Sequence, residues 1–170
     1  ECTRIADAAV TRSAGYPLAI LTADCLPITL CNTQGTEIAA IHAGWRGLYQ
    51  GVIENTLQKM HSTADNLLAW IGPAISQEHY EIGTEVYQAF TEKHPQSSLA
   101  FQLTGAGKWL ANLPLIAEMV LNSLGIKAVY QSNLCTFNLK DEFYSYRRTP
   151  QTGRIATLIW FNDQPRGLKL

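Results

Sequence analysis

The stretch Leu18-Ala19-Ile20-Leu21, Thr22-Ala23-Asp24-Cys25-Leu26-Pro27, Ile28-Thr29-Leu30-Cys31, Asn32-Thr33-Gln34-Gly35 and Glu37-Ile38-Ala39-Ala40-Ile41 decides the fold. It reads as a strand, a special turn, a strand, a hairpin turn and a third strand, because short apolar runs are bounded by turn-forming Asp, Pro, Asn and Gly. His42 closes the third strand and opens Ala43-Gly44-Trp45-Arg46-Gly47. Beyond it, Leu48, Val52, Leu57 and Met60, with Ile53 and Thr56 between them, predict a helix running to about His61.

Working outward, Leu67 to Ile71 predicts a buried strand stopped by Gly72-Pro73. Ile82, Val86, Ala89 and Phe90 lie on one face of a helix that ends by Pro95. A polar stretch through Gly105-Ala106-Gly107 separates it from the clearest helical period, Leu113, Ile116, Ala117, Val120, Leu121 and Leu124, opened by Asn112 and Pro114 and closed by Gly125. Ile126 to Tyr130, Phe143 to Tyr146 and Ile155 to Trp160 predict strands, and Asn162 to Leu170 a frayed tail. Strands and helices alternate without a strict period, which predicts one α+β (mixed α/β) domain over 1–170.

Composition agrees. A 170-residue chain with 46% hydrophobic residues and a net charge of -1 can bury a sizeable core and is not a disordered segment. Near-neutral charge disfavours nucleic acid as partner, and no run of 18 or more apolar residues predicts a membrane span. Glu1-Cys2-Thr3-Arg4 carries no apolar signal core, so a soluble, cytoplasmic location is expected. Cys2, Cys25, Cys31 and Cys135 are irregularly spaced and are expected to be reduced. Basic residues gather late, with Lys140, Arg147, Arg148, Arg154, Arg166 and Lys169 facing Asp141, Glu142 and Asp163, which suits an anion pocket or a solvated face.

Several residues could carry chemistry. Cys25, beside a carboxylate at the end of a strand, suits a nucleophile or a metal ligand, although taken alone a buried structural thiol is the commoner case. The loop after His42 runs into a helix start, where the amides around Gly44 and Gly47 and the charge of Arg46 would collect an anion. His42 and Trp45 could instead be a strand end and a core residue. Cys25 and His42 stand at the ends of neighbouring predicted strands and are expected to face one cleft, either as a Cys-His dyad or as two zinc ligands. Phe143-Tyr144-Ser145-Tyr146-Arg147-Arg148 mixes aromatic faces with guanidinium groups, which suits a planar ring and a phosphate, or an edge strand whose arginines face water.

The segments Leu21 to Pro27, Ile41 to Gly47, Ile71-Gly72-Pro73-Ala74-Ile75, Tyr80-Glu81-Ile82-Gly83, Cys135-Thr136 and Phe143 to Arg148 through Thr152-Gly153-Arg154 resemble the ordered motifs of the YfiH-type laccase-domain family over nearly the whole chain. The resemblance implies stacked mixed β-sheets covered by helices. It implies purine nucleoside phosphorylase activity on adenosine, inosine, guanosine and methylthioadenosine, with adenosine deamination, and a zinc site, copper being the alternative. Cys25 and His42 match two family ligands. The third, a histidine in a Val-His-Gly type motif, would fall before Glu1, so the chain is expected to lack the N-terminal portion of the family's domain. Phosphate is assigned to Arg46 and to Arg147 or Arg148, with the amides of Gly44 and Gly47. Three alternatives stand beside this: a Cys-His amidohydrolase or peptidoglycan-precursor editing enzyme, a non-catalytic metal-binding module, and a polyphenol oxidase. The last is disfavoured, since four histidines at unrelated spacings do not supply a multicopper centre.

Overall fold

The computed structural model describes residues 6–162; the expected fraying past Asn162, Cys2 at the other end, and the basic Arg166 and Lys169 lie outside them. Within that span the chain forms, in order, β1 (Ala8–Thr11), β2 (Leu18–Thr22), β3 (Leu26–Asn32), β4 (Ile38–Ala43), α1 (Trp45–Gln50), α2 (Val52–Leu57), β5 (Leu67–Ile71), β6 (Glu81–Gly83), α3 (Thr84–Lys93), β7 (Phe101–Gly105), β8 (Lys108–Ala111), α4 (Leu113–Ser123), β9 (Ala128–Gln131) and β10 (Ile155–Ile159). The expected mixed α+β architecture is the one adopted.

The main sheet has the order β1-β4-β3-β5-β9, antiparallel except for the parallel β5/β9 pair. Its central strand β3 is buried at each position from Leu26 to Leu30, as a strand covered on both faces must be. One cover includes α2, packed on β1 and β4, and the other is the antiparallel ribbon β2/β10, which lies across β3 and β4. A three-stranded sheet, β6-β8-β7, stands apart and packs under α3, where the Tyr87 and Trp109 rings stack with centroids 3.7 Å apart. Ile28, Ile41, Ile71, Leu113 and Ile116 are among the fully buried side chains that join sheet and α4 into one core. Asn112 caps α4 by accepting the Leu115 amide at 3.0 Å.

Several expectations are corrected. The helix expected from Leu48 to His61 is two helices, because Gly51 adopts φ 85° and ends α1 in a left-handed cap before the apolar stripe resumes in α2. Ile82 belongs to β6, and α3 begins only at Thr84. The polar stretch around Gly105 holds the β7/β8 hairpin, hidden from a periodicity reading because Gln102 to Gly105 are all exposed. β1 was not expected at all, and β9 begins two residues later than the predicted Ile126. Phe143 to Tyr146 is irregular rather than strand, with a turn beginning at Tyr146. Its polar groups are satisfied by side chains instead of a ladder: Phe143 O accepts from Arg148, and Ser145 Oγ donates to Asp24.

Candidate functional site

Register builds the first half of the site. Leu26 faces Ala43 and Pro27 faces His42 across β3/β4, so one residue further out Cys25 lies beside Gly44. The approach is close: a Cβ on Gly44 would sit 3.0 Å from Cys25 Sγ. Gly44 has φ -75° and ψ 172°, so its small size, not its conformational freedom, is what this position uses. Cys25, Cys31 and Cys135 are free thiols, in line with the reduced state expected.

His42 is the penultimate residue of β4 and projects toward Cys25. Its Nδ1 lies 3.0 Å from Asp7 Oδ1, and its backbone amide donates to Asp7 O at 2.7 Å. Asp7 thus reaches His42 through the pairing of β1 with β4. The hydrogen bond with Cys25 raises the imidazole's pKa, burial opposes it, and the Asp7 hydrogen bond and both negative charges add to the rise, to about 9. The sequence reading missed Asp7, since no periodicity marks the first residues as strand. Beside His42 runs a groove of about 630 Å³ lined by Ala9, Ala19, Leu21 and Ala40 as well as Asp7.

The turn before β3 supplies the second half. Asp24 is 7% exposed at φ 90°. Its carboxylate does not turn to Cys25 as its place in the sequence suggested. Oδ1 accepts from Thr136 Oγ1 at 2.7 Å, while Oδ2 accepts from Ser145 Oγ at 3.1 Å and from the Arg147 amide at 2.7 Å. Arg147 therefore starts its side chain from a fixed backbone. Its guanidinium lies 5.1 Å from the centroid of the Tyr80 ring and donates to Glu81 O at 3.1 Å. Arg46, exposed in the first turn of α1, lies 4.4 Å over the Trp45 ring.

Tyr80 ties these pieces together and was not singled out from the sequence, although its segment was. Burial pushes its phenol up, and the nearby Cys25 adds to this; Arg147 and Arg46 pull it down and Asp24 raises it again, to about 12. Thiol, carboxylate and both arginines thus act on one phenol. Arg148 is the departure from expectation. Its guanidinium donates to the carbonyls of Thr136, Phe137 and Phe143 at 2.7 to 2.9 Å, so it holds the loop together rather than facing an anion. A Cβ on Gly47 would meet His42 O and Val52 at 3.6 Å, and Arg154 donates to the carbonyls of Thr152 and Gly153 beside it.

Cys25 and His42 fit a metal site in kind, as thiolate and imidazole, and Asp7 on Nδ1 orients the ring as a carboxylate behind a ligating histidine does. They do not fit in number. Among the described residues no group of three or more His, Cys, Asp and Glu is placed to hold an ion. His79 stacks on Phe137 at 4.3 Å, the His61 amide donates to Glu37, and His94 closes α3, so none of them joins the pair.

Comparison with known proteins places the chain in a family. A purine nucleoside phosphorylase of Haemophilus influenzae is 45% identical over 158 residues, which are 92% of this chain and 65% of that protein. The purine nucleoside phosphorylase YfiH of Escherichia coli is 43% identical over 91% of this chain and 63% of its own length. The chain thus spans somewhat under two thirds of these relatives. A crystal structure of a Neisseria meningitidis DUF152 protein superposes with a TM-score of 0.91 at 43% identity, covering 92% of this chain and 65% of that one. YlmD of Geobacillus stearothermophilus does so with a TM-score of 0.87 at 28% identity, over 92% and 61%. Residues 2–162 match the family model described as multi-copper polyphenol oxidoreductase laccase, and with that match, these relatives and the shared fold, the chain belongs to this laccase-like YfiH family.

Proposed function

We propose that this chain carries the phosphate- and nucleoside-binding part of a purine nucleoside phosphorylase, acting on adenosine, inosine, guanosine and methylthioadenosine, with adenosine deamination as a second activity. The observation that carries the reading is Arg147 held 5.1 Å over the Tyr80 ring, with Arg46 two residues beyond Gly44, the glycine that touches Cys25 next to His42. The relatives' names support it. In phosphorolysis a phosphate oxygen bonds to the anomeric carbon as the bond to the purine nitrogen breaks, and the electron pair leaves with the base. The chain's share is positioning and charge: two guanidiniums hold the phosphate in line, and the protein field steadies the charge that develops. Arg147 and Arg46 take that role, while Arg148 keeps the loop in shape.

Cys25 and His42 would be two ligands of a zinc ion, or of copper, with Asp7 orienting His42. When bound, the ion supplies Lewis acidity for the hydrolytic deamination. The test is incubation of the full-length protein with inosine and phosphate. Ribose 1-phosphate and hypoxanthine are the expected products, and Arg147→Ala is expected to raise the phosphate KM. Product release that ignores phosphate would end the reading.

One observation favours a second reading. Asp7, His42 and Cys25 stand in the order carboxylate, imidazole, thiol, as in a Cys-His amidohydrolase. Alkylation of Cys25 separates the two: loss of activity with the metal retained supports a nucleophilic thiol, and joint loss supports a ligand.

A further inference from the structure

Asp24 costs the fold something to keep. Its φ of 90° lies in the left-handed region that L side chains avoid, and its carboxylate is 7% exposed. Three neutral donors satisfy it, and each belongs to the loop segment 112 to 123 residues later in the chain. Thr136 and Ser145, which supply the two hydroxyls, are both fully buried. The third donor is the backbone amide of Arg147. On the other side of the turn the Asp24 carbonyl accepts the Ile75 amide at 3.0 Å, and the next residue is Cys25. One short side chain therefore spans from the thiol's backbone to the guanidinium's backbone. The nearest ladder pair between these two pieces is Thr22 with Ile155 in β2/β10, since 143–146 itself forms no strand.

We propose that Asp24 is a positioning residue: it sets Arg147 at a fixed distance from Cys25 and His42 without touching substrate. This rests on the reading of Arg147 as a phosphate ligand. Removing the carboxylate leaves both site halves folded on their own supports, Cys25 by the β3/β4 register and Arg147 by the Arg148-braced loop, but lets them drift apart. Asparagine is the conservative replacement. It tolerates the same backbone region, its oxygen can accept from Ser145 and the Arg147 amide, and its nitrogen can donate to Thr136 Oγ1.

The experiment uses full-length protein carrying Asp24→Ala, Asp24→Asn, Ser145→Ala or Arg147→Ala. Two readouts are taken beside the melting temperature. One is the phosphate KM and the kcat with inosine. The other, on chelator-treated protein, is the ratio of Cys25 alkylation rates with anionic iodoacetate and neutral iodoacetamide, which reports the field of Arg147 at the thiol whether or not the protein turns over. Asp24→Ala is expected to raise the phosphate KM about tenfold or more, the size of one charge-assisted hydrogen bond, with kcat changed by less than about threefold. It should lower the alkylation ratio toward that of Arg147→Ala. Asp24→Asn should recover most of both, and Ser145→Ala should fall between and stand in if Asp24→Ala does not fold. A lowered melting temperature with KM and ratio unchanged in Asp24→Ala or Ser145→Ala would overturn the proposal. Absence of phosphorolysis in the wild-type protein would overturn the functional reading alone, and the alkylation ratio would still decide the role of Asp24.

Discussion

The β3/β4 pair and the segment 132–154 hold opposite sides of one site by different physics. Cys25 and His42 are placed by strand register, in a region where Leu26, Ile28, Ile41 and Ala43 have no measurable exposure. Arg147 is placed by side-chain hydrogen bonds to Asp24 in a segment with no strand or helix, where its neighbours Tyr144 and Tyr146 are more than half exposed. A register slip in a buried sheet turns each side chain to the wrong face, so the first placement is secured by the whole core. The second depends on a few donors and one carboxylate. Thiol and imidazole therefore sit at the edge of the buried sheet, and the Arg147 guanidinium on an irregular segment.

The largest effect separating the regions should come from the core. Ile28→Ala is expected to cost about 2 to 5 kcal/mol in urea unfolding, a transfer loss plus a cavity in a sheet covered on both faces. A smaller cost would mean that the sheet collapses around the gap and that its register is less secure than its burial implies.

Acid should act on the same sheet. Burial raises the Glu37 carboxyl, but the His61 and Ser62 amides, the Ser62 hydroxyl and the Arg12 guanidinium outweigh it and hold the group at about 2 against an ordinary 4.5. A lowered folded pKa means stability that is present above the ordinary value and lost as pH falls from about 4.5 toward 2. Urea midpoints measured across that window should decline in the wild type and stay flatter in Glu37→Gln. Parallel curves would mean that other carboxylates carry the acid response.

Arg148→Ala sharpens the contrast from the loop side. Removing a charged donor from three carbonyls should cost about 1.5 to 3 kcal/mol and speed amide exchange in 136–147, with phosphate affinity following through Arg147. Loss of phosphate affinity with exchange unchanged would return Arg148 to the anion site.

The smallest effect on stability is expected from Gly44→Ala, since its backbone is already ordinary and a Cβ meets only the Cys25 thiol, at 3.0 Å. Its effect on the site should be larger. Displacing the sulfur should weaken zinc binding on the order of tenfold, within the range of changes next to metal ligands, as read by competition with a chelator dye. Unchanged affinity would show that the thiol moves without consequence and is not a ligand.

Much of the site's first half was legible as sequence. Leu18 to Ile41 alternates apolar runs with turn residues, and such runs leave few arrangements other than adjacent antiparallel strands, so the convergence of Cys25 and His42 follows from local pattern. Asp7, Tyr80 and the role of Asp24 did not follow, because each acts on residues far away along the chain, through a hydrogen bond or a field that no period records. Arg148 was misread for a related reason: an arginine beside aromatics looks the same on paper whether its guanidinium meets water, an anion or three carbonyls.

Composition and periodicity by themselves determined the α+β class, the strands around the special turn and the α4 helix with its Asn112 cap. These depend on interactions within a few residues along the chain, where spacing and geometry are nearly the same thing. Tertiary structure alone decided which cation stays available, which carboxylate faces the thiol's imidazole and which one braces the loop. Those outcomes turn on side-chain direction and on the competition for buried donors, and a buried carboxylate such as Asp24 takes whichever hydroxyls and amides the packed chain brings within about 3 Å.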